Sequence, residues 1–282
     1  MTTLDPALRE RILEKLGLRA APALTLEGLT AVYGAWCQGV PFDNVRKLIH
    51  LRRDDPGELP GTRATDFFEA WLRHGTGGTC WAGHGALHAL LASLGFDTQR
   101  GVGTMLVAPD IPPNHGTVVV RFGDESWIVD ASILHGQPLP ISRAESAIDH
   151  GAWGVRFRHA PGERPIIRWR PLHLPEGFDC RIEQVGVPER VFVESHEGTR
   201  AWSPFNYQLY IRANRGDRVV GIAMGQRVEL DAAGNVSQRE IGPHERTRIL
   251  VEEIGLSEEI AAAVPADVPM PPPPASVKGP RS

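Results

Sequence analysis

The sequence is poor in cysteine, with only Cys37, Cys80 and Cys180 in 282 residues. So sparse and odd a set excludes a disulfide framework and points to a reducing compartment, the cytoplasm. Positive charge is not in excess either. Thirty Lys and Arg stand against 34 Asp and Glu, a net charge of −4. No global basic field therefore draws the chain to nucleic acid or anionic membrane. No apolar run approaches the roughly 20 residues that a membrane span needs. The opening "MTTLDPALRERILEKLGL" is charged and helical in period, unlike a signal peptide. There is no internal repeat. What remains is an ordinary globular composition, long enough for a large core and one to three domains.

Asp5-Pro6 reads as an N-cap followed by proline in the first helical turn. Leu8, Ile12, Leu13 and Leu16 then share one helical face, and Gly17 stops the helix. Further helices are expected over Thr25–Gln38, Thr65–Arg73 and Cys80–Leu94, with "GVPFDN" a turn between the first two. After Gly95 the pattern changes to short strands. "HGTVVVRFGDESWIVDASI" holds two β-rich runs around Gly123-Asp124-Glu125, a hairpin signal. "IIRWRPLHL", "CRIEQVGV", "RVFVES" and the stretch from Asn206 to Ile241 read as further strands. "GPHERTRILVEEIGL" returns to helical spacing, and the Pro-rich tail has nothing to bury and reads as disordered.

"GTGGTCWAGHGAL" places a cysteine behind a Gly-Gly pair and at the mouth of a helix. Gly77 and Gly78 permit a sharp turn and a close backbone approach. The free N–H groups and dipole of a helix start favour an anion, so a thiolate there is stabilised. The same N–H groups suit the oxyanion of a tetrahedral intermediate. A buried structural thiol explains the stretch equally well. Cys37 lies in a helix stripe and Cys180 in a strand-like run, so both read as core.

A nucleophilic cysteine needs a base, and the base needs an orienting group. His115 precedes the strand "TVVVRF", and Asp130 follows "SWIV". Paired strands would bring both to the same end of the hairpin. Eleven histidines and many acids also allow chance combinations, so spacing alone leaves this triad open. His84 and His88 form an i,i+4 pair near His74. They lack a second cysteine and the glutamate of a metalloprotease helix, so no metal site is expected. "GTGGT" lacks the Gly-Lys-Ser/Thr of a phosphate loop.

Taken together, these segments resemble the arylamine N-acetyltransferase family, from the first helices to about residue 260. "VPFDN" is similar to its Pro-Phe-Glu-Asn element and "GGTC" to its Gly-Gly-x-Cys motif. "HGTVVV" and "WIVDAS" resemble its His and Asp strands, and "WSPFNYQL" and "ILVEEIGL" its third-domain landmarks. The resemblance implies an α+β fold with a cysteine-protease-like core. Residues 1–95 would form a helical domain carrying the nucleophile, 96–200 a β-barrel domain carrying His and Asp, and 201–263 an α/β lid. A disordered tail over 264–282 would follow. It implies Cys80 as nucleophile, His115 as base and Asp130 as the group that orients it. The activity implied is ping-pong acyl transfer from a thioester, acyl-coenzyme A such as acetyl-coenzyme A or an acyl-carrier protein, to a small-molecule amine. No metal, nucleic acid or membrane takes part. Phe42, Trp81 and Phe205 are candidate lining residues, and Arg212, Arg215 and Arg218 candidate coenzyme A phosphate contacts.

The departures fall around the triad. Thr76 stands where the family usually has Arg, and Ala82 follows Trp81 where it usually has Glu. His84 lies near a usual Asn. Ala131-Ser132-Ile133-Leu134 replaces Val-Gly-Phe-Gly. Acyl transfer through Cys80 survives this comparison better than arylamine acetylation does. Two other classes stay open: a cysteine hydrolase or transglutaminase-like enzyme with the same triad, and a non-catalytic binding descendant of the fold.

Overall fold

The computed structural model describes residues 4–53, 57–108, 110–174 and 176–274. Helix α1 (Pro6–Lys15) begins where the Asp5 carboxylate accepts the Leu8 N–H at 3.3 Å. Helix α2 (Leu26–Gly39) is capped by Thr25 and buries Leu29, Val32, Tyr33, Trp36 and Cys37. A two-residue strand, β1 (Phe42–Asp43), and a helix absent from the sequence reading, α3 (Val45–Leu51), follow. Helices α4 (Ala64–His74) and α5 (Cys80–Leu94) each stop at a left-handed glycine, Gly75 and Gly95. Trp36, Phe67, Phe68 and Trp71 fill the space between these helices as one aromatic cluster.

The second layer is an antiparallel sheet of eight strands. They are β2 (Asp97–Met105), β3 (His115–Phe122), β4 (Glu125–Val129), β5 (Leu139–Pro140), β6 (Glu145–Ile148), β7 (Val155–Arg158), β8 (Ile166–Trp169) and β9 (Phe178–Val185), in spatial order β5-β4-β3-β2-β9-β8-β7-β6. Its edge strands meet, with the Ser146 hydroxyl donating to the Pro140 carbonyl, so the sheet curls nearly closed into a barrel. The β3–β4 hairpin turns where expected, with Phe122 opposite Glu125 and Val118 opposite Val129.

Helix α6 (Glu189–Gly198) corrects the strand expected for "RVFVES". Phe192 and His196 are its buried residues, four apart. Their packing outweighs the β preference of Val and Phe. The last sheet has the order β1-β10-β11-β12-β13, with β10 (Tyr210–Arg215), β11 (Arg218–Ala223), β12 (Gln226–Leu230) and β13 (Val236–Glu240). Strand β1, from the helical region, thus forms an edge of the lid sheet. Helix α7 (Pro243–Arg248) widens into a π-turn over Ile249–Glu253 before α8 (Glu258–Ala262). Ile249, Leu250 and Ile254 pack there on Leu209, Ile211 and Ile222 of the lid.

The tail also departs from expectation. Residues 264–271 are held on the last sheet and its neighbours rather than free. The Asp267 carboxylate accepts the Leu209 N–H at 2.9 Å, Val268 N–H donates to the Tyr207 carbonyl at 3.0 Å, and Trp202 Nε1 donates to Pro271 O at 3.3 Å. Proline supplies no N–H, but its carbonyls still accept, and Val264 is buried. Residues 275–282 lie outside the described residues.

Candidate active site

The glycine loop before Cys80 is shaped from outside its own sequence. Asp43 is buried, and its carboxylate accepts the Gly77 N–H at 2.6 Å and the Val45 N–H at 2.9 Å. Burial pushes the Asp43 carboxyl up to about 6, against those two N–H groups. Asp43 N–H donates to the Gly78 carbonyl at 3.2 Å. At Gly77 a Cβ would stand 1.8 Å from the Pro41 carbonyl oxygen, so only glycine fits. Asn44 then ties this strand to the lid. Its amide donates to Phe205 O at 3.0 Å and Gln208 O at 2.7 Å, and its carbonyl oxygen accepts the Tyr210 N–H at 2.8 Å. Sequence reasoning singled out neither Asp43 nor Asn44 as a site residue; the signal was polar residues inside an otherwise apolar turn.

Cys80 opens α5, with Thr79 as N-cap, and is buried. Its thiol donates to the Asn114 carbonyl at 3.8 Å. Burial pushes the thiol up to about 11, although the N–H groups of Gly116 and Trp81 point at the sulfur and pull the other way. At rest it is therefore a thiol, where the helix start suggested a thiolate. Desolvation outweighs the helix terminus.

His115 begins β3, one residue beyond Asn114, and is buried. Its Nε2 lies 2.8 Å from Asp130 Oδ2. Burial lowers its proton affinity, against the pull of Asp130. Asp130 follows β4. Its Oδ1 accepts the N–H groups of Ser132 at 2.9 Å and Ile133 at 2.8 Å, so Ala131-Ser132-Ile133-Leu134 still builds the turn that holds it. Tyr33 Oη donates to Asp130 O at 2.9 Å and accepts Asp130 N–H at 3.0 Å. Burial works to raise the Asp130 carboxyl, but His84 and His115 hold it well below the usual carboxylate range. The structure thus joins His115 to Asp130 directly. It shows no direct Cys80–His115 hydrogen bond among the described residues; the sulfur reaches the neighbouring carbonyl instead.

Phe42 and Phe205 meet edge to face at 5.3 Å, and each also packs on Tyr210. Trp81 is apart from them, against Phe192 at 5.3 Å. Thr76 is wholly buried and Ala82 nearly so, at the positions where the resemblance has Arg and Glu. The three arginines proposed for phosphate are occupied elsewhere. Arg212 is buried, donates to Arg170 O at 2.9 Å and stacks over Trp169. Arg215 caps the carbonyls of Glu253, Gln38 and Asn214, and Arg218 pairs with Glu229 at 3.2 Å. These contacts tie the strands of the last sheet to one another and to neighbouring segments. A groove of about 650 Å³ lies among α3, α4 and α8 and includes none of the predicted site residues.

The sequence reading also passed over Lys47, on α3. It is 4% exposed and donates to the Thr199 hydroxyl at 2.7 Å. No carboxylate lies within ion-pair distance of it among the described residues. Burial pushes its ammonium down to about 7, and an ionised Cys80 sulfur would pull it up. The His84–His88 pair splits: His84 turns to Asp130, 3.1 Å from Oδ1, and His88 is buried, pushed down to about 4 by burial. His84, His115 and Asp130 bring ligand-type atoms within 4.8 Å of one another. Both His84 nitrogens already meet main-chain groups, at Cys80 O and Ala131 N.

The sequence profile of a family described as N-acetyltransferase matches residues 25–164, a span that holds Cys80, His115 and Asp130. Over that span the chain carries the sequence pattern of this N-acetyltransferase family. It is accordingly an enzyme of the N-acyltransferase class. Solved arylamine N-acetyltransferases share its fold. That from Salmonella typhimurium superposes with a TM-score of 0.76 at 20% identity, covering 93% of this chain and 98% of that one. That from Mycobacterium abscessus gives 0.74 at 20%, covering 90% and 92%. That from M. tuberculosis gives 0.73 at 17%, covering 90% and 93%. No curated protein sequence matches the chain significantly. Among the described residues, no helix is long and apolar enough to cross a membrane.

Proposed function

We propose that this N-acetyltransferase carries an acyl group, acetyl in the first instance, from a coenzyme A thioester through Cys80 to a small amine, in a ping-pong cycle. The observation that carries the proposal is the buried His115–Asp130 pair at 2.8 Å, set beside the carbonyl that Cys80 contacts. Asp130 takes the Nε2–H of His115, so Nδ1 keeps its lone pair and is the base. His115 Nδ1 removes the Cys80 proton as the sulfur attacks the thioester carbonyl. The N–H groups of Trp81 and Gly116, already turned to the sulfur, are the candidates to hold the oxyanion. The C–S bond to coenzyme A breaks, and the imidazolium returns its proton to the departing thiolate. The amine then attacks the acyl-cysteine and gives its proton to His115. Phe42, Phe205 and Trp81 would bound the acceptor side. The rebuilt surroundings at Thr76, Ala82 and Ala131–Leu134 leave the donor open to an acyl-carrier protein as well.

The test is the intact mass of the protein after incubation with a panel of acyl-coenzyme A thioesters, beside Cys80→Ala. One acyl group gained, and absent from the variant, is expected. Free coenzyme A without an adduct and without amine would mark a hydrolase instead. An unchanged thioester would end the coenzyme A reading and turn the search to acyl-carrier donors.

A further inference from the structure

The mechanism above leaves one buried imidazole of the site unused. His84 is one turn beyond Cys80 on α5 and has no exposed surface. Its Nδ1 lies 2.7 Å from the Cys80 carbonyl oxygen. A carbonyl only accepts, so Nδ1 carries hydrogen. Its Nε2 lies 2.8 Å from the Ala131 N–H, which only donates, so Nε2 presents a lone pair. These two contacts fix the neutral Nδ1–H tautomer. Yet the same Nε2 also stands 3.1 Å from Asp130 Oδ1. A lone pair facing a carboxylate is repulsive. A proton on Nε2 would relieve it and would leave the Ala131 N–H without its acceptor. One nitrogen cannot satisfy both neighbours at once. The other Asp130 oxygen holds His115 at 2.8 Å, and the two rings meet edge to face with centroids 5.1 Å apart.

We infer that His84 is a positioning residue for the acyl-transfer site: it ties the Cys80 carbonyl to the Asp130 turn and shares Asp130 with His115. The inference rests on the proposed triad. Electrostatically, His84 acts to lower the proton affinity of His115. The other titratable groups around the cluster come from every packed element. They are Cys80 on α5, Tyr33 and Cys37 on α2, His135 after β4, Cys180 on β9 and Arg212 on β10, with Lys47 on α3 facing Cys80. All of them remain when His84 alone is changed.

His115 is a base only above its own pKa. If His84 depresses that pKa, removing His84 moves the acid limb of Cys80 reactivity upward. The readout is the rate of Cys80 alkylation by iodoacetamide as a function of pH, followed by intact mass, for wild type and His84→Gln. This needs neither thioester nor acceptor, so it stands apart from the acyl-enzyme test above. The limb is expected to rise by about one pH unit, with roughly tenfold slower alkylation below it. A folded His84→Gln whose rate falls equally at all pH values, or whose limb stays in place, overturns the inference. Should the variant fail to fold, long-range proton–nitrogen spectra of the wild type decide. Hydrogen on Nδ1 of His84 at neutral pH is expected, as its contacts with Cys80 O and the Ala131 N–H require. Hydrogen on Nε2 overturns the inference.

Discussion

At the scale of single residues, the site is a set of buried polar side chains gathered around one deep carboxylate, Asp130. Asp130→Asn keeps the shape and loses the preference for one His115 tautomer. Acyl transfer is expected to fall by about 10³–10⁴-fold with little change in fold; steady-state kinetics beside a thermal melt would show it. Lys47 is the buried cation that faces the sulfur, and its ammonium persists below about pH 7. Lys47→Met is expected to slow Cys80 alkylation several-fold, roughly two- to tenfold, below that pH and less above it. An equal loss on both sides would leave Lys47 a packing residue. Cys80, His115 and Asp130 were legible in the sequence as types in an order. Lys47 and His84 were not given these places. A lysine on a short unforeseen helix carries no sign of burial, and His84 was weighed as half of an i,i+4 metal pair. What it touches, Asp130, lies 46 residues away.

Among the elements, the helices with caps and glycine stops were readable to within a residue or so, because their signals are local. The hairpin was readable for the same reason. Helix α6 was not, since "RVFVES" has the propensity of a strand and is helical only through what it packs on. Strand β1 was hidden too, because two residues cannot show a period. The loop it supports is tightly specified. Gly77→Ala would set a methyl against the Pro41 carbonyl and push Gly77 N–H off Asp43. A loss of about 2–4 kcal/mol is expected, with activity falling further than stability; urea unfolding and the acyl-enzyme assay together check both parts.

For the whole molecule, acid sensitivity follows from buried histidines. His88, His135 and His196 are each pushed from 6.5 down to about 4 by burial. The unfolded chain binds protons there that the folded chain refuses. Stability from these groups is therefore full above about 6.5 and drains as pH falls toward 4. Asp43 opposes them. Its raised carboxyl keeps a proton in the fold from 3.8 up to about 6, so its share declines as pH rises through that range. Three groups against one set the sign: the unfolding midpoint in urea is expected to drop on acidification from about 6.5 to 4. A flat or rising midpoint would mean that these histidines are solvated.

The family profile ends at residue 164, but the nucleophile's support does not. Phe42 pairs with Arg212, and Asn44 holds the carbonyls of Phe205 and Gln208 and the Tyr210 N–H. These contacts span more than half of the chain. During synthesis, the cysteine and its glycine loop are complete long before the strand that secures them exists. Loop closure over such a distance is slow, and its entropy must be met before the contacts form. The Cys80 loop is thus secured only with the last third of the polypeptide, and an N-terminal fragment carrying Cys80, His115 and Asp130 still lacks that support.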